Sequence, residues 1–156
     1  MDGKTQKTGV SVIISFVMAA AVLVFLAVLT FGVPRILDSY ISFVGRENYF
    51  DGTRRGIVIA IIYAVLVPAY AADLSLCVLL ALVRRSAVFT NVSSRLLLVI
   101  SVCCFIEVAL FGVLSIFFTL SAVISFAALF LGVVLLVVKN VIEEGSTIKN
   151  ENDFTV

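Results

Sequence analysis

Two long apolar runs joined by a short polar tip constrain this chain more than any other feature. The first runs from Ile57 to Val83, about 27 residues with Asp73 as its one charge. The second runs from Leu96 to Thr119, about 24 residues with Glu107 as its one charge. About 20 apolar residues suffice for a helix to cross a bilayer. The sequence therefore predicts a membrane-spanning hairpin with its tip at Arg84 to Arg95.

Two further apolar runs bring the predicted spans to four, at about 10–33, 57–83, 96–119 and 121–138. Of the 156 residues, 62% are hydrophobic and 13% are charged, whereas roughly half of a soluble domain is apolar. We expect an all-α membrane protein whose four transmembrane helices form one antiparallel bundle over residues 10–138. The leader 1–9 and the tail 139–156 are expected to be cytoplasmic. A net charge of +1 offers no basic surface for nucleic acid.

The first span has two interpretations. It could be a signal peptide, but the apolar run from Val10 to Val33 exceeds the roughly 7 to 15 residues of such segments, so we predict a retained helix. It is expected to stop near Gly32, because Pro34 disfavours helix for the residue before it. Ile36, Leu37, Tyr40, Ile41 and Val44 then recur at helical spacing, which predicts a short interfacial helix in the first outer loop. That helix would be either a ligand cap or a simple connector.

The basic residues indicate an orientation, since Lys and Arg are enriched in cytoplasmic loops. If both termini lie inside, seven of the 11 basic residues are cytoplasmic and four, Arg35, Arg46, Arg54 and Arg55, lie outside. We therefore predict a multi-pass protein of the cell membrane with both termini in the cytoplasm.

Asp73 and Glu107 are candidate functional residues, because ionisable side chains within spans mark functional sites by default. With the hairpin folded near Thr90, both lie at a similar depth, roughly 15 Å from the helix ends. Ser125 of the fourth span lies near that depth and could donate a hydrogen bond to one of them. The three residues are predicted to be an intramembrane polar group, which either packs as neutral acids or forms a proton or ion path.

Two cysteines could add soft ligands to this group. Cys77 and Cys103 each lie four residues from one of the acids, and hence on its helix face. Two cysteines and two carboxylates can bind zinc, but the chain has no histidine and we predict no metal. It also lacks a Gly-x-Ser-x-Gly motif and a phosphate-binding loop. We therefore expect neither enzymatic activity nor a cofactor.

Other residues are expected to shape the helices. Pro68 can kink the second span. Tyr63 and Tyr70 share a face of that span and need partners for their hydroxyls. A stripe of small residues predicts the packing face of the fourth span: Ser121, Ser125, Ala128 and Gly132.

Three motifs in the chain carry a family resemblance. One is Val67-Pro68, followed 21 residues after the proline by Phe89. Another is the tip, 87–96, where Thr90 is a candidate N-cap. The most specific is the terminal sequence Glu151-Asn152-Asp153-Phe154-Thr155-Val156. Together they resemble the bacterial four-span membrane protein family known as domain of unknown function 2975, whose chains end in Glu-Asn-Asp-Leu-Thr-Val, with Phe154 here in place of leucine. The resemblance covers about Ile57 to Val156.

The resemblance implies a partner. Such proteins are often encoded beside a small helix-turn-helix regulator, which suggests a membrane protein that sequesters a transcription factor or senses a signal for it. The partner-binding residues would be Phe89, Thr90, Arg95 and the tail residues 151–156. Alternatively, the tail is a solvated, disordered terminus. The rival functions are an oligomeric proton or ion pathway through Asp73 and Glu107, and a structural subunit of a membrane assembly.

Overall fold

In the computed structural model, the chain forms four helices: α1 Asp2–Val44, α2 Gly52–Arg84, α3 Asn91–Leu114 and α4 Leu120–Asp153. The structure describes the backbone of residues 2–45, 50, 52–84 and 90–153, and the side chains of 13–45, 50, 52–84 and 90–147. These residues contain no strand. Each helix is long and apolar enough to cross a membrane, so the predicted all-α, four-span membrane fold is confirmed.

The four helices form an open row. Each helix packs against the next one in sequence. The start of α1 and the end of α4 lie on the same side as the end of α2 and the start of α3, which we call the terminal side. Among the described residues, no Cα atom of α1 lies within 8 Å of α3 or α4, and none of α2 lies within that distance of α4. In the most apolar 18-residue stretch of α1, only 11% of the residues are buried. Most of the apolar surface therefore faces outward, as expected for helices in lipid.

Helix α1 continues through Pro34 to Val44, so two sequence predictions are wrong: the first span does not end as a helix near Gly32, and no separate interfacial helix follows it. A proline inside a helix leaves the carbonyl four residues earlier without its N–H partner. Here that carbonyl belongs to Thr30, and the Tyr63 hydroxyl of α2 donates to it at 3.1 Å. A neighbouring helix thus supplies the hydrogen bond that Pro34 removes.

Apolar packing also holds the end of α1 in helical form. Leu37 and Ile41, which belong to the apolar side of the predicted interfacial helix, are 5% and 7% exposed and form a buried cluster with Val58 and Leu114. Between helices in a membrane, such packing stabilises through van der Waals contact rather than through removal of the side chains from water. These contacts outweigh the local preference of the Val33-Pro34 sequence for a break.

The α1–α2 contact is polar at its centre. The Thr30 hydroxyl donates to the Leu26 carbonyl at 2.8 Å and lies 3.0 Å from the Tyr70 hydroxyl. Because the one hydroxyl proton of Thr30 is already donated, Tyr70 is the donor in that second bond. The prediction that Tyr63 and Tyr70 find hydroxyl partners is confirmed.

The α3–α4 contact uses the small residues predicted from the sequence. The Ser101 hydroxyl, fully buried, donates to the Gly132 carbonyl at 2.8 Å. A Cβ atom at Gly132 would lie 3.3 Å from the Cβ atom of Cys104, so the absence of a side chain allows this close approach. Ser121 and Ala128 are also buried. The predicted packing face of the fourth span is confirmed.

The ends of α3 have clear caps. Thr90 adopts an extended backbone (φ −135°, ψ 153°), and its hydroxyl accepts from the Ser93 amide at 3.3 Å, so the predicted N-cap is confirmed. The helix ends at Leu114 rather than near Thr119. The Ser115 hydroxyl donates to the Gly112 carbonyl at 2.6 Å and competes for that last turn. The membrane limits themselves stay predictions.

Candidate functional site

Asp73 is the most unusual polar residue among those described. It lies in α2, is only 7% exposed, and its Oδ2 atom has no hydrogen-bond partner in the described part of the chain. A buried polar atom without a partner costs about 1–3 kcal/mol, and more if it is charged. Such a carboxyl either accepts a proton or meets a ligand or partner. Asp73 therefore remains the first candidate for chemistry within the membrane.

Glu107 lies half-buried on α3. No hydrogen bond joins it to Asp73, and neither acid has an ion pair with any residue that the structure describes. The predicted proton-sharing pair therefore stays a prediction, without a direct contact between the two carboxyls. Ser125 does not donate to either acid. Its hydroxyl donates to the Val108 carbonyl at 2.9 Å, which ties α4 to α3 one residue away from Glu107.

The cysteines are free thiols. Cys103 is buried, while Cys77 and Cys104 are partly buried. The described residues contain no group of three or more His, Cys, Asp or Glu side chains that could hold a metal ion. The proposed role of Cys77 and Cys103 as soft ligands stays untested. Pro68 is buried inside α2, which continues through it, and a kink there stays a prediction.

The predicted tail is a direct extension of α4. The helix is unbroken from Leu120 to Asp153, and an ion pair joins Lys139 to Glu143. The hydroxyls of Ser146 and Thr147 both donate to the Glu143 carbonyl, at 2.7 Å and 3.1 Å. The structure describes this segment as helical as far as Asp153, and its interpretation as a disordered terminus stays a prediction for the residues beyond.

Most of the predicted partner-binding residues lie at the terminal side. Arg84 and Arg95 are exposed there, and Thr90 caps α3. Glu151, Asn152 and Asp153 belong to α4, but their side chains lie outside the described residues. Phe89, Phe154, Thr155 and Val156 lie outside them altogether.

An aromatic cluster occupies the opposite side, and the sequence analysis did not single it out. The rings of Tyr40 and Phe118 meet edge to face with centroids 5.2 Å apart. Phe50 stacks on Phe118 at 5.9 Å and lies 6.5 Å from Phe117. The adjacent pair Phe117-Phe118 at the end of the predicted third span was the available signal. The cluster joins the end of α1 to the α3–α4 turn, where the row of helices otherwise leaves α1 apart from α4.

An ion pair lies at the same side. Arg55 Nε donates to Asp38 Oδ1 at 2.8 Å, and Arg55 Nη2 donates to Asp38 Oδ2 at 2.9 Å. The two side chains are 40% and 52% exposed. Exposed charges are costly in hydrocarbon, so this pair fits a position at the membrane boundary.

The fold and these surfaces define a multi-pass helical membrane protein. The chain belongs to the family described as "Protein of unknown function (DUF2975)", whose family model matches residues 33–156. The match begins in α1, earlier than the predicted start at Ile57, and includes the aromatic cluster and all of α2, α3 and α4. No curated protein and no solved structure matches the chain significantly.

Proposed function

We propose that this protein is a membrane-bound regulatory partner of a small cytoplasmic helix-turn-helix DNA-binding protein, which it sequesters or for which it senses a signal. In this proposal the membrane is the bacterial inner membrane, and the terminal side faces the cytoplasm. The contact surface consists of the α2–α3 tip with Phe89, Thr90 and Arg95, and of the α4 extension with residues 151–156.

The observation that carries the proposal is the length of α4. The bonds from Ser101 to Gly132 and from Ser125 to Val108 set the register between α3 and α4. Extended toward the terminal side, this register brings Thr90 level with about Glu143. Helix α4 then runs about ten residues further to Asp153, roughly 15 Å at the α-helical rise. A helix that projects from a bundle in this way is a suitable docking element for a soluble protein.

The chemistry of the extension also suits a protein contact. Beyond Glu143, the residues of α4 as far as Asp153 include the acids Glu144, Glu151 and Asp153 and the single base Lys149. The acids of the extension therefore outnumber its bases. An acidic helix complements the basic surface that a DNA-binding protein needs for phosphate contacts. Electrostatic complementarity of this kind favours a specific partner and speeds its association.

The first experiment compares the full chain with a chain truncated after Asn150. Each is purified in detergent from the native host, and the recovered proteins are identified by mass spectrometry. The proposal expects a small DNA-binding protein with the full chain and none with the truncated one. Recovery of the same proteins, or of no DNA-binding protein, with both chains contradicts it.

A second experiment tests whether the extension must be helical. Thr147→Pro removes the main-chain bond to Glu143 and costs a helix about 3 kcal/mol. The matched control is Thr147→Ala, which removes the same exposed hydroxyl but keeps the helix. The proline variant should lose the DNA-binding protein while the alanine variant keeps it. Equal recovery by both variants contradicts a helical docking element.

A proton or ion pathway is the second candidate, and the unpartnered Oδ2 atom of Asp73 favours it. Its test uses protein in liposomes that enclose a pH-sensitive dye, with a potassium gradient and valinomycin to drive protons. A pathway predicts proton flux that falls when Asp73→Asn and Glu107→Gln are combined. Flux equal to that of empty liposomes excludes this candidate and leaves a regulatory or structural role.

A further inference from the structure

A cavity of about 400 Å³ lies beside the aromatic cluster, between the end of α1 and the start of α4. It falls within the range of roughly 300–1,000 Å³ that is usual for small-molecule sites. Tyr40 lines one side, and the turn that contains Phe117 and Phe118 lines the other. The cavity is open to its surroundings on one side.

The polar side chains that the described residues contribute to this cavity all carry hydroxyls. Those of Tyr40, Thr119 and Ser121 line it, and none of the three makes a hydrogen bond with another residue that the structure describes. Ser121 is only 5% exposed, so its hydroxyl has little access to solvent outside the cavity. None of the three hydroxyl oxygens is among the fully buried, unpartnered atoms of the described residues, so each can bond to a molecule that occupies the cavity. A molecule in the cavity with hydroxyl or ester oxygens would supply the missing partner.

A second cavity, of about 210 Å³, continues along α1. It shares Tyr40 and Phe118 with the first cavity, and its other lining residues are apolar, with Leu29 and Val33 at its far end. From Tyr40 back to Leu29 is about 16 Å along the helix axis. Leu29 lies within the predicted span, so this cavity leads from the membrane boundary toward the hydrocarbon core.

The charge of the lining narrows the ligand class. Among the residues that the structure describes, neither cavity is lined by a charged one, and the nearby ions Asp38 and Arg55 are paired with each other. The described lining therefore offers an ionised head group no counter-charge, and such a group would lose hydration on entering. An uncharged head group with hydroxyls matches the three hydroxyls of the site.

We infer that these two cavities bind a single-chain amphiphile with an uncharged, hydroxyl-bearing head group that enters from the bilayer. The head group lies against Tyr40 and Ser121, and the chain lies along the α1 face toward Leu29. This inference is independent of the proposed regulatory partner, because binding is measured on the purified membrane protein alone.

The probe is a monoacylglycerol with a diazirine in its acyl chain, incorporated into nanodiscs that contain the full-length protein. After illumination, the labelled residues are mapped by mass spectrometry. Labelling is expected to concentrate on 29–40 and 117–124, and to fall when unlabelled monoacylglycerol is added. A diazirine-bearing phosphatidylglycerol serves as the second arm, and it should label the outward apolar faces of all helices without such competition. Labelling by monoacylglycerol that is equally diffuse overturns the inference.

Three variants test the head-group contacts. Tyr40→Phe and Ser121→Ala each remove one hydroxyl while leaving the ring or the backbone in place. Loss of one hydrogen bond should weaken competition by about 3- to 10-fold. Ser39→Ala, which removes an exposed hydroxyl outside both linings, should leave it unchanged. Unchanged competition in both Tyr40→Phe and Ser121→Ala contradicts the assignment, and helix content by circular dichroism verifies that each variant is folded.

Discussion

The hydrogen bond from the Tyr63 hydroxyl to the Thr30 carbonyl replaces the main-chain hydrogen bond that Pro34 removes. The ring nitrogen of Pro34 cannot donate to Thr30, and Tyr63 does so instead at 3.1 Å. Tyr63→Phe removes only that hydroxyl. We expect it to destabilise the protein, because a carbonyl within the membrane finds no water to replace the lost donor.

The stability that Tyr63→Phe should lose follows from the type of hydrogen bond that it removes. Hydrogen bonds between transmembrane helices average about 0.6 kcal/mol with a maximum near 1.7 kcal/mol, and an unsatisfied buried carbonyl costs about 1–3 kcal/mol. Tyr63→Phe should therefore cost about 1–2 kcal/mol. In a Pro34→Ala background the main-chain N–H of residue 34 returns to the Thr30 carbonyl. The same substitution should then cost less than about 0.5 kcal/mol, which gives a coupling energy of about 1 kcal/mol.

Reversible unfolding by sodium dodecyl sulfate in lipid–detergent micelles, followed by circular dichroism, measures these free energies. Tyr70→Phe is the matched control. Its hydroxyl bonds to the Thr30 side chain at 3.0 Å, which Pro34→Ala does not alter, so its cost should be the same in both backgrounds. The reasoning is refuted if Tyr63→Phe also costs the same with and without Pro34.

Two further predictions concern α3. Gly132→Val should destabilise the α3–α4 contact by about 1–3 kcal/mol through overpacking, since even a Cβ atom would lie 3.3 Å from that of Cys104. Gly112→Ala, whose Cβ atom would meet only a hydroxyl at 3.9 Å, should be nearly neutral in the same unfolding assay. An equal loss of stability in both variants would show the account to be wrong. Thr90→Ala should cost about 1 kcal/mol through loss of the N-cap and should speed hydrogen exchange at the Ser93 amide; unchanged exchange would argue against the cap.

The sequence was sufficient to predict the four spans, because each apolar run is long enough to cross a bilayer without help from tertiary structure. It also predicted the small-residue face of α4 and the Thr90 cap, which depend on local spacing. It failed at Pro34, where local preference favours a break. The helix persists there because Tyr63 lies 29 residues further along the chain and still reaches the freed carbonyl. Such a contact depends on how two helices are aligned against each other, and the spacing of residues within one helix does not reveal that alignment.

The candidate sites divide in the same way. Asp73 could be identified from its charge within an apolar run, and its burial in the structure fits that identification. The partner of Ser125 could not be predicted, because depth alone does not distinguish the Glu107 carboxyl from the neighbouring Val108 carbonyl. The cavity at Tyr40 and Ser121 joins residues about 80 positions apart. It lies where the end of α1 meets the start of α4, and no motif in the chain marks it.

The regulatory proposal depends most directly on which side of the membrane the α4 extension lies on. The native cysteines Cys77, Cys103 and Cys104 are first replaced by alanine. A single cysteine is then introduced at Thr147, in α4, or at Thr53, at the start of α2, so that each variant reports one side of the membrane. Intact cells are treated with a membrane-impermeant maleimide, before and after permeabilisation. The account predicts that Thr53→Cys is labelled in intact cells and Thr147→Cys only after permeabilisation. Labelling of Thr147→Cys in intact cells would contradict a cytoplasmic partner for this surface.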